Sequence, residues 1–135
     1  MKQLDTVKKY MTAAPRTIGY DQTLEQASEY MRKLHVRHLP VLKAGKLIGV
    51  VSDRDINLVL TFAEEEALSL PVEEALTPDP FFTSTDAPLR EVAAKMAEKK
   101  YGCALIVDGG SLVGIFTEVD AYRALAELLE TRLKK

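Results

Sequence analysis

Twice in this sequence a short apolar run broken by glycine ends in a hydroxyl residue, with a carboxylate three positions further on. The first copy is Gly49-Val50-Val51-Ser52-Asp53-Arg54-Asp55; the second, sixty-five residues later, is Gly114-Ile115-Phe116-Thr117-Glu118-Val119-Asp120. Two chemistries fit the pattern. In a capping box the hydroxyl accepts a free N–H at a helix start, and the acid reaches back to the N–H of the hydroxyl residue. In an anion-binding corner, a glycine-bearing strand feeds a helix whose free N–H groups and positive dipole end face a ligand brought close to the backbone. Both readings stand for either copy, and the recurrence in matching contexts weighs against dismissing the second.

The other polar residues support less. His35 and His38, with the distant Cys103, make no recognisable metal-ligand set, so no metal is expected. No Ser, Thr or Cys carries a motif that sets a base beside it, and there is no P-loop, which argues against an enzyme such as a nucleotide hydrolase. Cys103 is the single cysteine; it cannot form an internal disulfide and its apolar surroundings read as core. Asp53, Asp108 and Glu118 read as helix-start and turn residues.

The elements that must position the two motifs follow from periodicity. Residues 2–11 place Leu4, Val7 and Met11 on one helical face, and Thr12-Ala13-Ala14-Pro15 breaks the pattern. After an extended stretch, Asp21 or Thr23 can cap a helix with Leu24, Ala27, Met31 and Leu34 on one stripe. Residues 36–42 and 47–51 read as antiparallel strands joined by a Lys43-Ala44-Gly45-Lys46 turn. A second helix begins after Ser52 with Ile56, Val59 and Leu60 apolar, and Glu64-Glu65-Glu66 reads as a solvated helix end or linker. From Val72 the itinerary repeats. A shift of sixty-five residues superposes Thr12 on Thr77, Pro15 on Pro80, Leu24 on Leu89, Met31 on Met96, Gly45 on Gly110 and Asp55 on Asp120 without a gap. That is duplication of a whole supersecondary unit, with repeats at 1–65 and 66–135. The second pair of strands, 104–107 and 112–116, is joined through Asp108-Gly109-Gly110-Ser111. A closing helix carries Leu125, Leu128, Leu129 and Leu133 on one side, a stripe that fits either a core or an interface. The expected fold is α+β: two β-α-β-β-α units packed sheet to sheet about a pseudo-twofold axis.

Composition narrows the function. With 135 residues, 47% hydrophobic and 28% charged, the chain can build a real core. A net charge of −2 offers no broad basic face, which disfavours nucleic acid. No apolar run approaches the roughly twenty residues of a membrane span. The start Met1-Lys2-Gln3-Leu4-Asp5 lacks the apolar core of a secretory signal, so a cytoplasmic protein without membrane contact is expected.

With the repeat in hand, the sequence resembles a tandem pair of CBS domains, the Bateman module. The residues that carry the resemblance are Tyr10-Met11-Thr12-Ala13-Ala14-Pro15, Thr23-Leu24-Glu25-Gln26-Ala27, His35-Val36-Arg37-His38-Leu39-Pro40-Val41 and the Gly49 to Asp55 motif. The second repeat answers with Leu76-Thr77-Pro78-Asp79-Pro80, Pro88-Leu89-Arg90-Glu91-Val92 and Gly114 to Asp120. It is similar to stand-alone bacterial proteins grouped with acetoin-utilisation regulators, and to the module of inosine-monophosphate dehydrogenases. The resemblance implies a non-catalytic regulatory site for an adenosine-containing ligand in a cleft between the repeats. AMP, ADP or ATP is expected first and S-adenosylmethionine is an alternative; no catalytic cofactor is required. Carried over by position, Asp55 and Asp120 would each accept from a ribose diol, and Ser52 and Thr117 would contact ribose or phosphate. An ionised carboxylate, acceptor-only with two oxygens, suits two adjacent hydroxyl donors.

Within that resemblance, Gly49 and Gly114 line the site. Pro40 has no N–H and disturbs its strand, leaving main-chain groups for a base edge. Thr17, Ile18, His38, Leu39 and Pro40 are the adenine candidates of the first repeat, and Phe82, Thr83, Cys103, Ala104 and Leu105 are those of the second. There the pattern departs, because Leu105 replaces Pro40 and Gly102 replaces Arg37, so the two sites need not be equivalent. Arg37, His38, Arg54 and Lys100 are candidates for phosphate contact, although Arg54 reads equally as a solvated helix residue. Such modules pair into flat homodimers, and an unidentified protein partner is compatible. The rival reading is a dimerisation or docking scaffold without a ligand.

Overall fold

The computed structural model describes residues 5–133, apart from the side chains of Glu64 and Glu65. Its first half runs from a 3-10 turn (Val7–Lys9) through β1 (Thr12–Ala13), β2 (Ile18–Gly19), α1 (Leu24–Leu34), β3 (His38–Lys43) and β4 (Lys46–Ser52) to α2 (Asp53–Ala63). Two more 3-10 turns (Glu64–Ser69, Val72–Glu74) lead to β5 (Thr77–Pro78), β6 (Phe82–Thr83), α3 (Leu89–Lys99), β7 (Cys103–Asp108), β8 (Ser111–Thr117) and α4 (Glu118–Leu133). The architecture is mixed α and β, with two four-stranded sheets ordered β2-β3-β4-β5 and β1-β8-β7-β6.

The spatial units are cut differently from the sequence period. One is Arg16–Pro80, and the other is drawn from Met1–Pro15 and Phe81–Lys135. The hydrogen bonds show why. In the first unit Leu24 N donates to Leu70 O, Val72 N to Gln22 O and Glu73 N to Tyr20 O, at 2.9, 2.7 and 3.1 Å. In the second the same three bonds return sixty-five residues away: Leu89 N to Asp5 O, Val7 N to Ala87 O and Lys8 N to Thr85 O, at 2.9, 2.9 and 3.3 Å. Residues 5–15 thus do for the second unit what residues 70–80 do for the first.

The same bonds correct the helix expected over residues 2–11. Residues 2–4 lie outside the described region. Beyond them the chain makes only the single turn Val7–Lys9, with Thr6 bridged to Pro88. The N–H groups of Val7 and Lys8 are donated to the loop before α3, so no longer ladder can form over them. Val7 still goes inside, where it is fully buried against Val92, Phe116 and Ala124.

Within the first unit, α1 starts at a full capping box: Gln26 N donates to Thr23 Oγ1 at 3.1 Å, and Thr23 N to Gln26 Oε1 at 2.9 Å. It ends at His35, which takes the left-handed conformation (φ 58°). That assigns His35 to a helix end. Leu24, Ala27 and Met31 face a core with Leu39, Val41, Val51 and Ile56. In the second unit α3 ends the same way at Lys100 (φ 59°), so this candidate phosphate contact serves as a helix cap.

Both hairpins carry two successive positive φ angles, Ala44 and Gly45 at 51° and 78°, and Gly109 and Gly110 at 57° and 80°. This is the turn whose twist matches that of antiparallel strands. Ala44 alone of the four has a Cβ to strain there. Ala44→Gly, which reproduces the residue at the matching position of the second unit, should therefore raise unfolding free energy by about 0.5–1 kcal/mol. Urea unfolding would show it, and a loss of stability would contradict the strain.

Candidate functional site

The end of β4 and the start of α2 form the first corner. Register places His38 opposite Ser52, and Asp53 N donates to Arg37 O at 3.0 Å, so the start of β3 and the start of α2 are tied together. The capping box is formed: Asp55 N donates to Ser52 Oγ at 3.1 Å, and Ser52 N to Asp55 Oδ2 at 3.3 Å. A third donor comes from β5, where the Thr77 hydroxyl reaches the same Oδ2 at 3.3 Å. Asp55 is half-buried, and none of the hydrogen bonds among the described residues uses its Oδ1. Arg54, its neighbour in the chain, and Arg37, whose carbonyl takes the Asp53 N–H, are both exposed.

In the second unit Cys103 lies opposite Thr117. Thr117 N donates to Asp120 Oδ2 at 2.9 Å, and Asp120 N to Thr117 Oγ1 at 3.4 Å. The Thr117 hydroxyl also donates to Oδ2, at 3.2 Å. The Thr12 hydroxyl, from β1, reaches Oδ1 at 3.2 Å and Oδ2 at 3.4 Å, and Arg123 Nη1 pairs with Oδ1 at 3.4 Å. Asp120 is 3% exposed and is the buried charged residue of the described chain. Both carboxylates thus satisfy the capping-box reading, and they differ in what is left over.

The remaining candidates separate into side chains that can meet a ligand and side chains that cannot. Ile18, Leu39, Pro40, Cys103, Ala104 and Leu105 are buried, so only their main-chain atoms could contribute. Thr17 and Ile18 line an open groove of about 460 Å³ with Gln22, Gln26, Tyr30 and Lys33. Ser52 and Asp55 are not among the residues lining that groove. Phe82 and Thr83 lie on the edge strand β6, paired with Leu105 and Ile106.

The two glycines have local reasons to be glycine. A Cβ on Gly49 would lie 2.5 Å from the Thr77 carbonyl oxygen, and one on Gly114 would meet the Met11 sulfur. Thr12, Thr77 and Arg123 were not singled out from the sequence as site residues. The signal for the threonines was there, as a hydroxyl conserved between the two halves at the same register. Arg123 had none, since Leu58 stands at its matching position.

Among the described residues no three His, Cys, Asp or Glu side chains are grouped to hold an ion. No described helix is long and apolar enough to cross a membrane.

A model of the CBS domain matches residues 7–61 and again residues 72–127. The chain belongs to the CBS-domain family. Among its relatives, the CBS domain-containing protein YhcV of Bacillus subtilis is 31% identical over 83% of this chain and 79% of its own. The crystal structure of a putative acetoin utilization protein (AcuB) from Vibrio cholerae is 32% identical, with a TM-score of 0.86 over 98% of each chain. The CBS-domain pair of protein MJ0100, in complex with 5′-methylthioadenosine and S-adenosyl-L-methionine, is 26% identical, with a TM-score of 0.84 over 93% of this chain and 98% of that one.

In this CBS pair Cys103 is not a reactive thiol. Burial, and secondarily the charge of Glu118, push it from an ordinary value of 9.0 up to about 12. The neutral thiol is thus the form the fold favours. Its contribution to stability is complete below about pH 9 and is lost as pH rises from there through about 12. At pH 8 iodoacetamide should alkylate the native protein about three orders of magnitude more slowly than the urea-unfolded chain. Comparable rates would place the thiol at the surface.

Proposed function

We propose that this CBS pair is a non-catalytic regulatory module that binds an adenosine-containing ligand, an adenine nucleotide before S-adenosylmethionine, and responds by a change in conformation or assembly. The observation that carries this reading is the carboxylate of Asp55. It stands at a helix start with Ser52, is half-buried, and has an acceptor oxygen, Oδ1, that no hydrogen bond among the described residues uses. A ribose diol presents two adjacent hydroxyl donors, and a carboxylate is the acceptor-only group that can take both. The N-terminus of α2 adds positive potential for phosphate, and two exposed cations belong to the same corner, Arg54 in the first turn of α2 and Arg37 through its carbonyl's bond to Asp53 N. The two compounds bound by the MJ0100 pair share an adenosine moiety, which supports the same class here. Ligand acts by differential affinity, favouring whichever arrangement completes its contacts.

Isothermal titration and thermal melting with AMP, ADP, ATP and S-adenosylmethionine test the reading. At a ligand concentration a hundredfold above Kd the folded state should gain about 2.7 kcal/mol, seen as a raised Tm. If none of the four gives heat or raises Tm in nucleotide-free protein, the docking-scaffold reading replaces this one.

Assembly is the second part of the proposal. Leu58 and Phe62 on α2 are 57% and 81% exposed, and on α4 Tyr122, Leu125 and Leu129 are 64%, 55% and 48% exposed. Such helix faces are unusual on a solitary surface, and a second copy of the chain is the proposed cover. Phe62→Glu combined with Leu129→Glu should convert dimer to monomer in sedimentation velocity without loss of helical signal. A wild-type protein that sediments as a monomer at tens of micromolar would remove this part.

A further inference from the structure

The two halves of the pair repeat the same corner but do not leave it in the same state. Asp120 has Thr117 N–H, both threonine hydroxyls and the Arg123 guanidinium on its two oxygens, and is 3% exposed. Asp55 receives an amide and one threonine hydroxyl, both on Oδ2, and is half-buried. A carboxylate offers about four lone-pair positions. A diol can approach Asp55 without displacing anything from Oδ1, whereas at Asp120 it must evict Arg123 and compete with Thr12.

Two further differences point the same way. In the second half Leu105 N donates to the Phe81 carbonyl at 2.8 Å. At the matching place in the first half stands Pro40, which has no N–H to give the Arg16 carbonyl. An acceptor that is tied up in one half is therefore left for another donor, such as an exocyclic amine, in the other. Charge differs as well: Arg37 and Arg54 in the first half are matched by Gly102 and Val119 in the second. Lys100, at the helix end that His35 occupies in the first half, returns one cation against the two that the second half lacks here.

We infer that the chain takes one phosphate-bearing adenosine ligand, with its ribose on Asp55, while Asp120 is a structural carboxylate locked by Thr12 and Arg123. This assignment rests on the ligand-binding reading above and decides which repeat serves it. The lock is particular to the second half, since the residue matching Arg123 is Leu58, which has no charge to offer Asp55.

The test is calorimetric titration of the full chain with ATP and AMP, run on wild type, Asp55→Asn, Asp120→Asn and Arg123→Leu, with circular dichroism melts of each. The wild type should bind about one ligand per chain. Asp55→Asn, which keeps a capping oxygen and removes the charge, should weaken binding at least about tenfold. Asp120→Asn should lower Tm while leaving affinity within about twofold. Should Asp120→Asn fail to fold, Arg123→Leu carries the same test at the rim of that carboxylate, with affinity and stoichiometry expected unchanged. Two ligands per chain in the wild type would overturn the assignment. So would a folded Asp120→Asn or Arg123→Leu that loses affinity while Asp55→Asn retains it. An absence of heat with every ligand in the wild type is a different result: it removes the ligand reading itself, and the assignment with it.

Discussion

A carboxylate three residues into a helix, held by the hydroxyl residue that ends the preceding strand, is the joint on which each half of this protein turns. It does three things at once. It satisfies N–H groups that a helix start leaves without partners, it sets the angle at which helix leaves strand, and it accepts a threonine hydroxyl from the short strand on the far side of the glycine. Thr77 does this for Asp55 and Thr12 for Asp120. The glycine belongs to the same joint. Gly49 pairs with Pro78 and Val50 with Thr77, and only a residue without a side chain lets the Thr77 carbonyl come so near. Removing the hydroxyl, the carboxylate or the glycine would loosen the attachment of one edge strand.

That edge strand explains why the units do not follow the sequence period. A strand of two residues has too few ladder bonds to hold itself on a sheet, so it depends on the threonine tie and on the 3-10 turn before it. In the first unit the turn and strand follow the helix that needs them. In the second unit residues 5–15, from the other end of the chain, supply the same backbone bonds. The second unit is thus a circular permutation of the first, closed by contacts far apart in sequence instead of by a continuous chain.

Much of this was legible in the residues, for reasons that can be named. The repeat, the hairpin turns and the α1 stripe rest on local patterns, and local patterns survive folding. The N-terminal helix was not legible: Val7 and Met11 have helical spacing, but the amides of Val7 and Lys8 go to a loop nearly eighty residues away, which no window over residues 2–11 contains. The direction of the α4 stripe was left open because the spacing of Leu125 and Leu129 is the same for a core and for a surface; only Asp120 and Ala124 of that helix go inside. At the candidate site, the aspartates and their hydroxyl partners stood out because they recur at fixed spacing. Arg123 did not, because it has no counterpart in the other half, and a repeat-based reading attends to what is shared.

The asymmetry is therefore where the chain's individuality lies. A carboxylate cannot be both fully committed to the fold and open to a ligand, since the same lone pairs serve both. After duplication, each copy of the joint could drift toward one use provided the other kept its own. Arg123, where the first copy has Leu58, moves Asp120 toward the structural use: it adds a charged donor to an acid that burial would otherwise disfavour. Leu58 and Pro40 move the first copy the other way, because each withholds a donor that its counterpart supplies in the second. Among the positions that differ between the halves, those around the joint change the number of donors around it. Divergence around the joint is best described as a redistribution of hydrogen-bond donors between two corners of the same design, more of them on Asp120 and fewer on Asp55.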